Sequence, residues 1–267
     1  MENGRIMKFF DEFKSEFRDK LLNELEKRIK MPLDCKRHDI SKVNEKYESL
    51  TIGPEGSNVS VNARLDKAFN DYLGFEIGSP TNLRKTREIL MNVWIYENDY
   101  SKELFADAKR LYRSYPDYSL EIHWCLLLAA YPVFGDVCRL IGKMSEFQDE
   151  ITLAQLKQKV FDEWGERTTL FHSIDKLVAT LKALGVLNCD KPGKYHVHKF
   201  EVKNSKVICF MVHTLMRIDE SAYHTLGSLN SAALFFPFIY TVDKTDLMDD
   251  GNFAFSNFGG EATISLK

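Results

Sequence analysis

Residues 151–199 read ITLAQLKQKVFDEWGERTTLFHSIDKLVATLKALGVLNCDKPGKYHVHK, and this stretch decides the fold. Thr152 precedes an apolar-periodic run, and Gln155 follows three residues later, the spacing of a capping box. Leu153, Leu156, Val160 and Trp164 then share one helical face, and Gly165 ends that helix. A second helix begins at Arg167-Thr168-Thr169, with a threonine as its N-cap. Its apolar stripe is Leu170, Ile174, Leu177, Val178, Leu181 and Leu184, and Gly185 stops it. Val186-Leu187 and Tyr195-His196-Val197 have strand character, with the turn Asp190–Lys194 between them. The prediction is two helices broken near Gly165, then a hairpin whose tip is Pro192-Gly193.

Helix, tight turn, helix and hairpin is the layout of a winged helix-turn-helix. The run LVATLKALGVL followed by PGKYHVHK resembles a recognition helix leading into a wing of that superfamily. The resemblance covers residues 151–199 and implies binding of double-stranded DNA, with the second helix in the major groove. Winged helices also dock proteins, so a scaffold that binds a partner protein is the alternative. Opposite the apolar stripe lie Thr168, Thr169, His172, Ser173 and Lys176, with Arg167 at the end where recognition helices approach base edges. Hydroxyls suit phosphate, and arginine can read guanine bidentately. Lys191 and Lys194 flank the wing tip, and Lys157 and Lys159 on the preceding helix add candidate phosphate contacts. The plain alternative for all ten is a solvated surface. The stretch IHWCLLLAAYPVFGDV together with the winged unit is similar to DNA-binding accessory subunits of bacterial BREX phage-defence systems. That resemblance implies a regulator or accessory role among other protein subunits.

The composition, 44% hydrophobic and 28% charged, suits a packed globular chain. No run of about 18 apolar residues occurs, so a membrane span is not expected. The N-terminus lacks a signal-peptide layout, and the five cysteines have no paired spacing, which predicts reduced thiols in a cytoplasmic protein. The net charge of −3 excludes a uniformly basic coat. Residues 151–199 nevertheless carry 8 Lys/Arg against 5 Asp/Glu, and residues 200–267 carry 5 against 8. A local basic face can hold DNA on an acidic molecule.

The fold class expected is mainly α: a helical N-terminal half, a winged helix-turn-helix and a small α+β C-terminal module. Four segments follow: 1–80 (N-terminal helices and linker), 81–132 (helical core), 133–199 (winged unit) and 200–267 (C-terminal module). Residues 5–30 have an apolar stripe, including Phe9, Phe13, Phe17 and Leu21, that suits packing or a homodimer. Residues 31–59 read as a connection, and 61–73 as a helix. Thr81 or Asn82 is expected to cap a helix over 83–97 that opens with Arg84, Lys85 and Arg87. Those cations oppose the helix dipole and form a second candidate anion surface. A helix over about 101–114 follows. The segment from Ser119 to Tyr131 is apolar nearly all round, which predicts a central helix. Phe134, Val137, Leu140, Ile141, Met144 and Phe147 form the stripe of the next helix. Beyond the wing, Asn204 starts a helix, Ser221–Ser231 reads helical, Leu234–Phe238 and Phe253–Phe255 read extended, and Ala262–Leu266 is a terminal strand.

No catalytic residue is expected. GxSxG, HExxH and CxxC motifs are all missing, and no glycine loop precedes Lys-Ser/Thr. His196-x-His198 with Cys189 falls short of a converging zinc set and reads as wing strand, so no metal or other cofactor is expected. Asp249-Asp250-Gly251-Asn252 reads as a turn rather than a nuclease cluster.

Overall fold

The run from Ile122 to Ala129 has no polar stripe, so a helix formed from it can only be stable when surrounded. That is its position in the computed structural model, which describes residues 77–267 apart from 95, 97–99, 167, 220, 222, 259 and 260. The helices expected over 5–30 and 61–73 and the connection over 31–59 lie outside the described residues. By internal contacts the chain divides into Met1–Met91 and Asn92–Lys267. The boundary falls inside helix α1 (Pro80–Trp94).

The described part of the first unit is the start of α1. Its cap is Ser79, whose hydroxyl accepts the Asn82 N–H at 3.4 Å, and Pro80 takes the first position. A proline there loses no hydrogen bond and has a preset φ, so the helix starts ahead of the Thr81 or Asn82 cap expected. Arg84 pairs with Glu88 one turn on, at 3.7 Å, within an exposed helix face.

The second unit is mainly helical, with a small sheet-containing C-terminal part. After α2 (Leu104–Ser114), a 3-10 turn at Pro116–Tyr118 leads into α3 (Ser119–Ala130). Trp124 of α3 is fully buried and holds three segments together. Its indole N–H donates to the Leu234 carbonyl at 3.0 Å. Its ring meets Phe134, Phe236 and Phe238 edge-on at 5.0, 5.6 and 5.5 Å. The Leu234–Phe238 segment is therefore not a strand throughout. A 3-10 turn at Ala233–Phe235 presents the carbonyl to Trp124, and only Phe238–Ile239 (β5) pairs, in parallel with Phe200–Glu201 (β4).

Helix α4 (Pro132–Ser145) buries Phe134, Val137, Leu140, Ile141 and Met144, as its stripe predicts. Phe147 lies past the helix end and is exposed, contrary to its place in that stripe. Gly142 faces the Ala233 turn so closely that a Cβ would lie 2.3 Å from the Ala233 oxygen. A bare backbone is what lets α4 and the turn meet.

A short strand β1 (Ile151–Thr152) precedes α5 (Leu153–Trp164) and α6 (Thr168–Ala183). The capping box is present: Thr152 accepts from the Gln155 N–H, and the Gln155 side chain accepts from the Thr152 N–H. Gly165 ends α5 with φ of 77°. Strands β2 (Leu187–Lys191) and β3 (Lys194–Val197) pair antiparallel, and β1 joins the other side of β3, giving the order β1-β3-β2. Their tip is Pro192-Gly193, with Gly193 at φ of 75°. Proline then glycine at positive φ is the chemistry of a type II turn.

Helix α7 (Ser205–Ile218) follows, capped by Asn204 as expected and buried along Val207–Met216. Among the described residues of Ser221–Ser231 only Leu226–Asn230 (α8) is helical, and Thr225 and Ser228 form a capping box at its start. Helix α9 (Lys244–Asp250) and the hairpin β6 (Phe253–Phe258)–β7 (Glu261–Leu266) complete the unit.

Candidate nucleic-acid interface

The apolar stripe of α6 fixes which side is covered. Leu170, Ile174, Val178, Leu181 and Leu184 are buried, and Leu177 is half-buried. A helix with one face committed to the core must present the other outward. On that outer side His172, Ser173 and Lys176 are exposed. Thr168 and Thr169 form the first turn of α6, and the placement of Arg167 lies outside the described residues.

The four lysines expected around α6 separate into two kinds. Lys159 on α5 and Lys191 on β2 are exposed, and neither has an ion-pair partner among the described residues. Lys157 does not join them. It is 9% exposed, and its ammonium lies 2.6 Å from the Asp175 carboxylate and 3.3 Å from the centre of the Phe171 ring. A cation held by a carboxylate and a ring face on the neighbouring helix ties α5 to α6 and is not offered to phosphate. Lys194 is half-committed: its ammonium donates to Glu150 at 2.5 Å. That hydrogen bond holds the Glu150 carboxyl below its ordinary range.

The hairpin is less basic than its lysines suggest. His196 has Nδ1 3.0 Å from the Asp149 carbonyl and Nε2 3.4 Å from the Asp190 carboxylate. His198 is exposed and stands edge-on to Phe200 at 4.7 Å. Lys199 donates to the Phe236 carbonyl at 2.5 Å, and burial holds its pKa below the ordinary lysine value. Of the candidate contacts, Lys159, His172, Lys176 and Lys191 are exposed and enter no ion pair among the described residues.

Two aromatic side chains beside this face were not foreseen as surface. Trp164, expected inward, is 42% exposed at the end of α5, and Phe171 on α6 is 43% exposed. Phe161 stacks on Phe171 with centroids 6.3 Å apart and planes 20° apart. The sequence signal for Phe171 was present: it falls outside the apolar stripe of its own helix.

No group of three or more His, Cys, Asp or Glu among the described residues converges as a metal site. A pocket of about 290 Å³ lies between α2, α7 and the turn after α9 and is lined by Arg110, Lys206, His213 and Asp250 among others. Arg110 there is already paired with Asp107 at 2.8 Å. No single helix among the described residues is long and apolar enough to cross a membrane. Compared with protein-family models, with curated proteins and with solved structures, the chain has no significant match.

Proposed function

We propose that this chain is a non-enzymatic, cytoplasmic DNA-binding protein that uses a winged helix. In that reading α4, α5 and α6 are the three helices, β1-β3-β2 is the sheet, α6 is the recognition helix and the β2–β3 hairpin is the wing. One observation carries it. The order helix, strand, helix, helix, hairpin leaves a helix face bearing His172, Ser173 and Lys176 exposed, with Lys191 at the hairpin tip. Hydroxyl, imidazole and ammonium groups on an exposed helix suit phosphate and base edges. A place as regulator or accessory subunit of a bacterial phage-defence system rests on the sequence resemblance alone.

The test is a gel-shift titration of duplex DNA at two salt concentrations. Lys159, Lys176 and Lys191 offer three phosphate contacts, so the logarithm of affinity should fall with a slope of about −3 against the logarithm of salt. No shift even at low salt would favour the second reading, a scaffold that docks a partner protein. The exposed rings of Trp164 and Phe171 favour that reading, because tryptophan is enriched in protein interfaces and a DNA surface has little use for it.

A further inference from the structure

The pocket of about 290 Å³ between α2, α7 and the end of α9 has an apolar wall, where the buried Leu111, Cys209 and Phe210 line it. Most of its charged groups are already neutralised. Arg110 and Asp107 cancel each other at 2.8 Å. His213 is 8% exposed, and burial lowers its pKa, so it is uncharged at neutral pH. Two opposite charges remain. Lys206, in the first turn of α7, is exposed, and its ammonium has no partner among the described residues. Asp250, the last residue of α9, accepts from Asn252 Nδ2 at 2.8 Å through Oδ1, and Oδ2 accepts from no donor among the described residues. Lys206 and Asp250 both line the pocket, yet they form no ion pair with each other. Both act on the same wall residue: burial raises the pKa of the Cys209 thiol, Asp250 raises it further and Lys206 opposes the rise.

Each of these charges also sits at the helix end of its own sign. A cation in the first turn of α7 and an anion in the last turn of α9 both run against the helix dipole, which a counter-charge from outside would relieve. A ligand that answers both must carry a carboxylate and an ammonium on one small body. The size agrees: at about 30 Å³ per water the pocket holds roughly ten waters, room for a small metabolite and too little for a nucleotide. The wall of Leu111, Cys209 and Phe210 asks for an apolar remainder. We propose that this pocket binds a free α-amino acid with an apolar side chain. Lys206 takes its carboxylate, Asp250 takes its ammonium, and the neutral His213 leaves that end without a competing cation. The site is separate from residues 151–199 and does not rest on DNA binding by them.

The experiment is calorimetric titration of the full chain with leucine, methionine and phenylalanine. Two halves of leucine serve as controls: 4-methylpentanoate, which has only the carboxylate, and isopentylamine, which has only the ammonium. At least one of the amino acids should bind, and each half should bind at least tenfold more weakly than leucine. Lys206→Ala and Asp250→Asn should each weaken amino-acid binding about ten- to hundredfold, the worth of one hydrogen bond to a charged group. Both positions are at the protein surface, and unchanged melting temperatures of the unliganded variants check that the fold is kept. The halves should separate the two roles: Lys206→Ala acts on the carboxylate alone, and Asp250→Asn on the amine alone. No heat with any of the three amino acids would overturn the proposal. So would a half that binds as tightly as leucine, or full affinity in both variants. A double-mutant cycle in which Lys206 and Asp250 stabilise the unliganded chain jointly would also overturn it, since the two would then pair with each other.

Discussion

Glu121 sits in the first turn of α3, only 5% exposed, and its Oε2 meets no hydrogen-bond donor among the described residues. Burial raises its carboxyl from 4.5 to about 6. A raised folded-state value means that the fold favours the protonated form. The stability this group contributes is complete below pH 4.5 and is lost as pH rises through 6, a cost of roughly 2 kcal/mol at neutral pH. Glu121→Gln should therefore raise the denaturant midpoint at pH 7.5 and leave it nearly unchanged at pH 4. A lower midpoint at pH 7.5 would show that the ionised carboxylate is used. His123, two residues on, has the opposite sign. It accepts from the Trp94 indole at 3.0 Å through Nδ1, and burial lowers its pKa from 6.5 to about 4. The fold favours its neutral form, so its contribution is complete above pH 6.5 and is lost as pH falls towards 4. Gly142 is the third residue whose environment dictates its identity. An alanine Cβ would fall 2.3 Å from the Ala233 oxygen, and backbone cannot swing aside as a side chain can. Gly142→Ala should cost about 3 kcal/mol, at the upper end of overpacking in cores, read as a fall in melting temperature.

At the scale of elements, Lys157 and Lys194 show how partners change the roles of charges. Lys157→Ala removes the cation between Asp175 and Phe171, so it should lower stability by about 1–2 kcal/mol. It should leave the salt slope of DNA binding untouched, since the ammonium does not face solvent. Lys191→Ala should flatten that slope by about one unit. Adding Lys194→Ala should flatten it by less than another, because Glu150 already neutralises much of that ammonium. A full two-unit change in the double variant would mean that Lys194 leaves Glu150 for phosphate. These partners also explain what the sequence could tell. The capping box at Thr152, the stops at Gly165 and Gly185 and the tip at Pro192-Gly193 depend on neighbours within a few residues, so they were legible. Lys157 was misplaced because its anchors, Phe171 and Asp175, come from the next helix. Trp164 was misplaced because periodicity marks a face and not where the neighbouring element stops; at the last position of α5 its ring is left exposed. The 3-10 turn at Ala233–Phe235 was unreadable for the same reason, since its determinant is Trp124, far back in the chain.

Across the unit Asn92–Lys267, Trp124 is the place where the helical part and the C-terminal segments become one structure. It belongs to α3, meets Phe134 of α4, and reaches Leu234, Phe236 and Phe238 beyond α8. Helix α4 in turn lies against both α5 and the Ala233 turn. Anything that loosens Trp124 must therefore be felt by the 151–199 region and by the segments after 200 alike. Trp124→Ala loses the burial of a large ring and leaves the Leu234 carbonyl without its donor. The cost should be about 3–5 kcal/mol, with the orphaned carbonyl adding to the cavity. If the unit unfolds as one, native-state hydrogen exchange should show the amides of α7 and those of β2–β3 losing protection by the same free energy. If the β2–β3 amides keep their protection while those of α7 lose it, then 151–199 is an independent folding unit. In that event α5, α6 and the hairpin could be excised with α4 and assayed for DNA binding by themselves. The burial of Trp124 on every side and its bond across to Leu234 favour the first outcome, in which the 151–199 region is only as stable as the core behind it.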